Sequence, residues 1–331
     1  MYSPKDVIRS YQMIYDNKLY EKFHIFNGLQ NDVKIVFNLI KSFLNDIESK
    51  KNPNIINVYN KEFNNIKLSF CNLTLIVEIE KFVGDDYTSL NAEYFKNEGI
   101  IKNNIFKAKI GIYPIYASLT QKFLNEIEKT IAHELTHAYN DYMAKLNGKS
   151  LKYNINTILL NKILNYSNKN SIEYYVASLT YALNKLEQQA VISELYFDTK
   201  YNAIEMQDTS NPIDIFKKTN TIRLLAKLYS LYKCLLQINP EYYKRVEEIF
   251  KQVSNKVMSY NKIMKYFYKE ILSFTNMCTH FSSTVSYDVL KRLHECTDDL
   301  KIKYAINKNH LKEKSKKIIN KHHILYNICL N

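Results

Sequence analysis

The segment Gln121–Lys145 constrains the fold more than any other part of the chain, because it contains neither glycine nor proline and has a helical pattern. Ser118 or Thr120 supplies an N-cap before it, and Asn147-Gly148 supplies a stop after it. Its apolar residues fall on one side of a helix: Phe123, Leu124, Ile127, Ile131, Leu135, Ala138 and Tyr142. The segment is therefore predicted to form one long amphipathic helix.

The polar side of this helix carries the sequence His133-Glu134-Leu135-Thr136-His137. Residues four apart lie about one turn apart on one face, so His133 and His137 can bind the same tetrahedral metal ion. Glu134 lies about 100° round the helix, too far to be a ligand but close enough to contact a water held by the metal. The motif predicts a zinc hydrolase with Glu134 as base. The alternative is an exposed helix face that happens to carry two histidines.

Composition sets the class of protein and its compartment. A chain of 331 residues with 46% hydrophobic content can form two domains with sizeable cores. The five cysteines are scattered and include no Cys-x-x-Cys pair, which favours a reducing compartment. No signal-peptide core and no run of about 20 apolar residues is present. We expect a cytoplasmic protein without a membrane partner.

Abundant Asn, Lys and Ile indicate an AT-rich coding sequence, compatible with a phage or mobile element and with packaging into a virion.

The net charge of +13 favours acidic partners, and nucleic acid is the partner class to consider. The lysines are, however, spread through almost every segment. The densest run, Lys312–Lys317, is predicted to form a solvated helix face rather than a nucleic-acid surface. Nothing in the sequence indicates the oligomeric state.

The secondary-structure pattern predicts an α+β lobe over residues 1–148 and an all-α lobe over residues 149–331. The first lobe begins with helical periodicity from about Lys5 to Lys50 and continues with strand signals that include Leu73–Val83 and Ile105–Tyr113, the latter ended by Pro114. In the second lobe almost no strand signal remains. Its predicted helices are Ile172–Tyr196, Ile222–Leu236, Pro240–Tyr260 and Ile263–Phe274, with a further one near the C-terminus.

The strand Ile105–Tyr113, the helix with its His-Glu-Leu-Thr-His motif and the helical lobe behind it resemble the zincin metallopeptidases. The resemblance implies a zincin-like lobe with a small, mostly antiparallel sheet, one Zn²⁺ per chain, and a protein or peptide as substrate. It also implies that Ile105–Tyr113 is an antiparallel edge strand that pairs with an extended substrate.

Zincins differ in their third protein ligand. The metzincin pattern requires a glycine at position 140 and a histidine at position 143, whereas this chain has Asn140 and Met143. A third histidine soon afterwards is also excluded, because none occurs between His137 and His280. The resemblance therefore implies a gluzincin-like arrangement, in which a carboxylate from a following helix completes the site.

Glu187 is the best match to that carboxylate, because Ala190 lies on the same helix face and lets a second helix approach closely. Glu194, two turns further along, is the alternative ligand or a neighbour of the ligand. Glu173 and Asp198 are weaker candidates.

Asp141 lies about 12 Å along the axis from His133, which is too far for a ligand from the same helix. We expect it to orient a ligand or to form a salt bridge. Cys278-Thr279-His280 and His294-Glu295-Cys296 are spaced poorly for a second zinc site.

The sequence thus favours a zinc-dependent endopeptidase with His133, His137 and Glu187 as ligands and Glu134 as general base. One alternative is a non-catalytic protein of zincin fold, acting as a virion, mobile-element or adaptor component. A second is a peptidase drawn to nucleic acid by its positive charge.

Overall fold

The computed structural model divides into two compact units, Met1–Lys149 and Ser150–Asn331. It describes residues 19–50, 56–83, 88–96, 99–102, 105–149, 155–206, 218–275 and 277–278. The remaining residues are outside this description. They include the predicted first part of the N-terminal helix, the basic run Lys312–Lys317, and the His280 and His294–Cys296 positions.

In its described residues the first unit has two helices and a sheet. In chain order its elements are α1 (Leu19–Glu48), β1 (Ile56–Lys67), β2 (Asn72–Phe82), β3 (Thr88–Tyr94), β4 (Ile100–Lys102), β5 (Ile105–Tyr116) and α2 (Gln121–Leu146). The sheet has the order β1-β2-β5-β3, and β4 pairs with β5. Three pairings are antiparallel, but β2 and β5 are parallel, so the sheet is mixed. The predicted α+β class is confirmed.

Strand β5 corrects the prediction of an edge strand before α2. It pairs with β2 on one side and with β3 and β4 on the other, so it lies inside the sheet. It also continues through Pro114 to Tyr116 instead of ending at the proline. The ladder to β2 is interrupted at Tyr113 and Pro114, as the missing proline N–H requires, while the register with β3 continues and places Leu90 opposite Pro114.

One face of the sheet forms the core of this unit, because alternate residues of the central strands are apolar and buried. In β2 these are Leu73, Leu75, Val77 and Ile79, and in β5 they are Phe106, Ala108, Ile110 and Ile112. Both helices contact this face through aromatic pairs. Phe43 of α1 lies 6.4 Å from Phe63, and Tyr142 of α2 lies 5.5 Å from Phe106, between ring centroids. The unit is therefore a two-layer arrangement of helices on one sheet face.

The ends of α2 agree with the sequence prediction. Thr120 is the N-cap, and its side chain accepts a hydrogen bond of 3.2 Å from the backbone N–H of Phe123. Asn147 is the C-cap, and Gly148 follows with φ of +63°, a left-handed conformation that ends helices. These two ends fix the position of the motif within the helix.

The secondary-structure elements described in the second unit are all helices. The elements are α3 (Thr157–Tyr166), α4 (Ile172–Ala182), α5 (Lys185–Met206), α6 (Asn220–Leu236), a 3₁₀ turn (Pro240–Tyr242), α7 (Tyr243–Ser254) and α8 (260–275). The predicted helix Pro240–Tyr260 is wrong at its end, since Asn255 adopts φ of +54° and separates α7 from α8. Across the described parts of both units, no helix has the length and apolarity needed to cross a membrane.

Candidate metal centre

The two motif histidines present their imidazoles to the same point. The Nε2 atoms of His133 and His137 lie 3.1 Å apart, and the ring planes cross at 75°. Two nitrogens bound to one tetrahedral zinc at 2.0–2.1 Å would lie about 3.3 Å apart. His137 is 6% exposed, whereas His133 is partly exposed. The pair therefore has the spacing that a shared metal ion requires, and one side of it is accessible.

Glu187 completes a group of three potential ligands. One ligand atom from each of His133, His137 and Glu187 lies within 4.8 Å of the others. The carboxylate is on a side chain that is 5% exposed. Among the described residues, this is the one group of three histidine, cysteine or acidic side chains that could hold a metal ion. Two imidazoles and one carboxylate are a donor set that suits zinc, because it combines borderline nitrogen ligands with one charged oxygen.

Glu187 reaches its position through a helix boundary that the sequence analysis missed. The predicted single helix Ile172–Tyr196 is wrong, because α4 ends at Ala182 and α5 begins at Lys185. Asn184 is the residue before α5, and its side-chain oxygen accepts a 3.0 Å hydrogen bond from the N–H of Leu186. Glu187 therefore lies in the first turn of α5, where the helix dipole stabilises a carboxylate.

The four residues from Asn184 to Glu187 have the spacing of a capping box, in which the glutamate accepts from the N–H of the capping residue. Here that N–H donates to the backbone carbonyl of Tyr181 at 3.0 Å. The carbonyl of Tyr181 therefore accepts the hydrogen bond that the glutamate side chain accepts in a capping box. The Asn-x-x-Glu spacing was the sequence signal for this helix start.

Glu173 and Asp198, the weaker ligand candidates, accept hydrogen bonds from other residues of the helical unit. Glu173 accepts from the Arg245 side chain at 2.9 Å. Burial raises the pKa of Glu173, but hydrogen bonds from its own backbone, Arg245 and Ser171 outweigh burial, and the net shift is downward. Asp198 accepts from the N–H of Asn220 at 2.8 Å, at the start of α6. Both carboxylates therefore stabilise the helical unit.

Glu194 is on α5 with Glu187 but is not a member of the group of three. The seven residues between them correspond to roughly 10 Å along the helix axis. The two carboxylates are therefore too far apart for both to contact one ion shared with the histidines. Glu187 is the one that lies in the group of three.

Glu134 follows His133 in α2 and is 7% exposed. The helix places its side chain about 100° round from that of His133, beside the histidine pair rather than in line with it. The structure therefore has a buried carboxylate adjacent in the helix to the two histidines.

Asp141 forms a salt bridge, which is one of the two roles predicted for it. Its Oδ2 atom accepts from Lys145 Nζ at 2.6 Å and from the Tyr94 hydroxyl at 2.6 Å, and the side chain is 1% exposed. Lys145 also donates to the carbonyl of Gly99. A Cβ at Gly99 would overlap with the side-chain ends of Tyr94 and Asp141, so a larger residue there would displace these groups. Asp141 therefore joins α2 to strand β3.

Comparisons of the chain with protein-family models, with curated proteins and with solved structures find no match. The motif and the group of three side chains are consequently the observations on which a functional proposal rests.

Proposed function

We propose that this protein is a zinc-dependent peptidase that hydrolyses peptide bonds. The observation that carries the proposal is the group formed by His133, His137 and Glu187, whose ligand atoms lie within 4.8 Å of one another. Structural zinc sites have four protein ligands, whereas catalytic zinc sites have three and leave one position for water or substrate. A group of three with a carboxylate beside it matches the catalytic type.

The ligand chemistry supports zinc in particular. Two neutral imidazoles and one carboxylate would leave a net charge of about +1 on a divalent ion, which preserves more Lewis acidity than two carboxylates would. When bound, zinc would supply that Lewis acidity to a substrate carbonyl and lower the pKa of water at the site. His133, His137 and Glu187 would hold the ion.

Glu134 is the general base of the proposal. Its carboxylate would accept a proton from the attacking water and afterwards donate that proton to the nitrogen of the leaving amine. Glu134 is 7% exposed, so few bulk water molecules compete with the reacting one for this carboxylate.

Strand β3 is the sheet edge that we assign to the substrate. It contacts α2, and the Tyr94–Asp141 hydrogen bond joins the two elements. Within the described residues β3 pairs with β5 on one side only, so its other side offers backbone groups to an extended peptide. This assignment replaces the earlier one to β5, whose two sides are both paired.

The proposal is tested by metal analysis and by peptide cleavage on the same preparation. Protein purified with zinc and without chelator is expected to carry one zinc per chain and to cleave a mixed peptide library, with cleavage blocked by 1,10-phenanthroline. The variant Glu134→Gln is expected to retain zinc and to lose at least about 1,000-fold in kcat, since it cannot accept the proton.

Glu126→Gln is the matched control, because Glu126 lies in the same helix and pairs with Lys129 at 2.7 Å. It is expected to keep both zinc and activity. Full activity of Glu134→Gln would refute the mechanism. Zinc-loaded protein that cleaves no peptide would instead favour a non-catalytic binding protein.

A further inference from the structure

The phenol of Tyr174 holds the ammonium group of Lys227 in one position within the helical unit. Tyr174 lies on α4 and Lys227 on α6, and these two helices pack against each other. Lys227 Nζ donates a hydrogen bond of 3.1 Å to Tyr174 Oη and lies 5.5 Å from the centroid of the tyrosine ring. The tyrosine is 8% exposed, whereas the lysine is exposed. The side chain of Lys227 is therefore restrained by the folded protein and can still be reached from solvent.

The charged groups that act on this phenol within the described residues are both positive. The hydrogen bond from Lys227 lowers the pKa of Tyr174, burial raises it, and a hydrogen bond with Ser178 and the charges of Lys227 and Lys169 lower it further, so the net shift is downward. Lys169 is exposed and lies in the turn before α4. The neighbouring carboxylate of Glu173 bonds to the Arg245 side chain instead. The Tyr174 phenol therefore lies in a region of positive potential.

The positive charges of this region are not compensated by carboxylates. Lys227, Lys169 and the exposed Arg223 form no ion pair with any residue that the structure describes. Lys145 and Arg245, by contrast, pair with carboxylates at 2.6 and 2.9 Å. Arg223 lies four residues before Lys227 on the same face of α6, about 6 Å along the helix axis, and α6 contains no acidic residue. Like charges at this spacing destabilise a helix, so an anion bound between them would relieve a repulsion.

We propose that Lys227, together with Arg223 and Lys169, binds a phosphate group at the surface of the helical unit, and that Tyr174 positions Lys227 for it. A phosphate group has several strong acceptor oxygens, so more than one cation can share it, and the planar guanidinium of an arginine matches two of these oxygens. A carboxylate has two oxygens and a single charge and would compensate fewer cations. The site is independent of the candidate metal centre and of the proposed peptidase function.

Two sources offer such a group, a free phosphate compound and the backbone of a nucleic acid. The net charge of +13 attracts both by long-range electrostatics. The chemistry that Lys227 recognises is the same in the two cases, and separate titrations distinguish them.

Calorimetric titration of the zinc-loaded full-length protein with inorganic phosphate tests the site. Lys227→Gln is expected to weaken phosphate binding about tenfold, because it removes the ammonium group that Tyr174 positions. Lys233→Gln is the matched control, with the same change of charge on the same helix, and Lys233 Nζ also lies near a tyrosine ring, 4.9 Å from that of Tyr229. Its phosphate affinity should stay within about twofold of the wild type. The metal-free proteins should show the same difference, which separates this site from phosphate bound to zinc.

Tyr174→Phe tests the positioning role, because it keeps the ring and removes the oxygen that accepts from Lys227. It is expected to weaken phosphate binding about threefold, since Lys227 must then be ordered by the ligand. Tyr229→Phe, the control, should leave phosphate affinity unchanged. If the hydroxyl of Tyr174 had only a structural role, Tyr174→Phe would lower Tm without any effect on phosphate affinity.

A single-stranded DNA of about 12 nucleotides identifies the source of the phosphate. If the source is nucleic acid, Lys227→Gln lowers the affinity for this DNA more than Lys233→Gln does at the same salt concentration. If the source is a free phosphate compound, the two variants lose DNA affinity equally, and Lys227→Gln alone loses affinity for inorganic phosphate. The inference is overturned if Lys227→Gln loses no more than Lys233→Gln in both titrations, or if the wild type binds neither ligand saturably. Neither outcome depends on whether the protein cleaves peptides.

Discussion

The hydroxyl of Tyr94 donates a hydrogen bond of 2.6 Å to the carboxylate of Asp141, and this contact links the end of strand β3 to the helix of the candidate metal centre. Asp141 lies one turn after His137, so its position also fixes the rotation of that helix about its axis. The carboxylate is almost completely buried and receives a second donor from Lys145. Its charge is thus compensated by two donors in a region that water hardly reaches.

We expect Tyr94→Phe to lower the free energy of unfolding by about 2 kcal/mol, because the buried Asp141 carboxylate then loses one of its two donors. Tyr113→Phe is the control. Tyr113 also donates to a carboxylate, that of Glu93 at 2.8 Å, but at an exposed site. We expect a loss below about 1 kcal/mol there. Chemical denaturation of the metal-free proteins measures both, and equal losses would contradict a special role for the buried bond.

Glu187→Gln is expected to weaken zinc binding by more than about 100-fold, since the loss of a ligand should exceed the effect of losing an outer partner. Glu194→Gln is the matched control, with the same change on the same helix two turns further along. Its zinc affinity should remain within about threefold of the wild type. Competition with a chromophoric chelator measures both affinities. Normal affinity in Glu187→Gln together with weak binding in Glu194→Gln would reverse the ligand assignment.

The helix of the motif could be predicted from sequence because its signals are local. Apolar spacing, a threonine cap and an Asn-Gly stop all act within a few residues, and the structure has α2 between Thr120 and Asn147. Strand pairing depends instead on residues far apart in the chain. The sequence therefore indicated that Ile105–Tyr113 is a strand but not that β3 would pair with it and place it inside the sheet.

The proximity of Glu187 to the histidine pair was predicted from a resemblance, and the residues around it gave a wrong helix. Apolar periodicity continues from Ile172 to Tyr196 and conceals the break. In the structure the helix is broken where Asn184 caps the next helix. Asparagine also occurs inside unbroken helices, so the residue alone does not reveal the break. The structure has the boundary at this cap, between Ala182 and Lys185.

Asn184→Ala is expected to lower the free energy of unfolding by about 1 kcal/mol, the usual value for an N-cap. It should also weaken zinc binding several-fold, because the first turn of α5 carries Glu187. Asn156→Ala is the control, since Asn156 caps α3 by accepting from Leu159 at 3.1 Å. It should cost a similar amount of stability and leave zinc affinity unchanged. Equal zinc affinity in the two variants would show that the Asn184 cap does not position the ligand.

We predict that the protein loses stability at high pH because the thiol of Cys71 is buried. Burial, with a smaller effect of the Asp32 carboxylate, raises the pKa of Cys71 from 9.0 to about 12. Between these values the unfolded chain loses the thiol proton while the folded protein keeps it, so the free energy of unfolding falls as pH rises. This contribution is complete below pH 9 and is lost as pH rises through about 12.

For Cys71 alone the loss between pH 8 and pH 10.5 should be roughly 2 kcal/mol, at about 1.4 kcal/mol per pH unit above 9. Cys71→Ala removes the titrating group, so its free energy of unfolding should fall less than that of the wild type over the same interval, although it starts lower because a buried side chain is truncated. Urea denaturation at the two pH values gives the difference. Parallel pH dependence in the two proteins would mean that the pKa of the Cys71 thiol is the same in the folded and the unfolded protein, which contradicts the prediction.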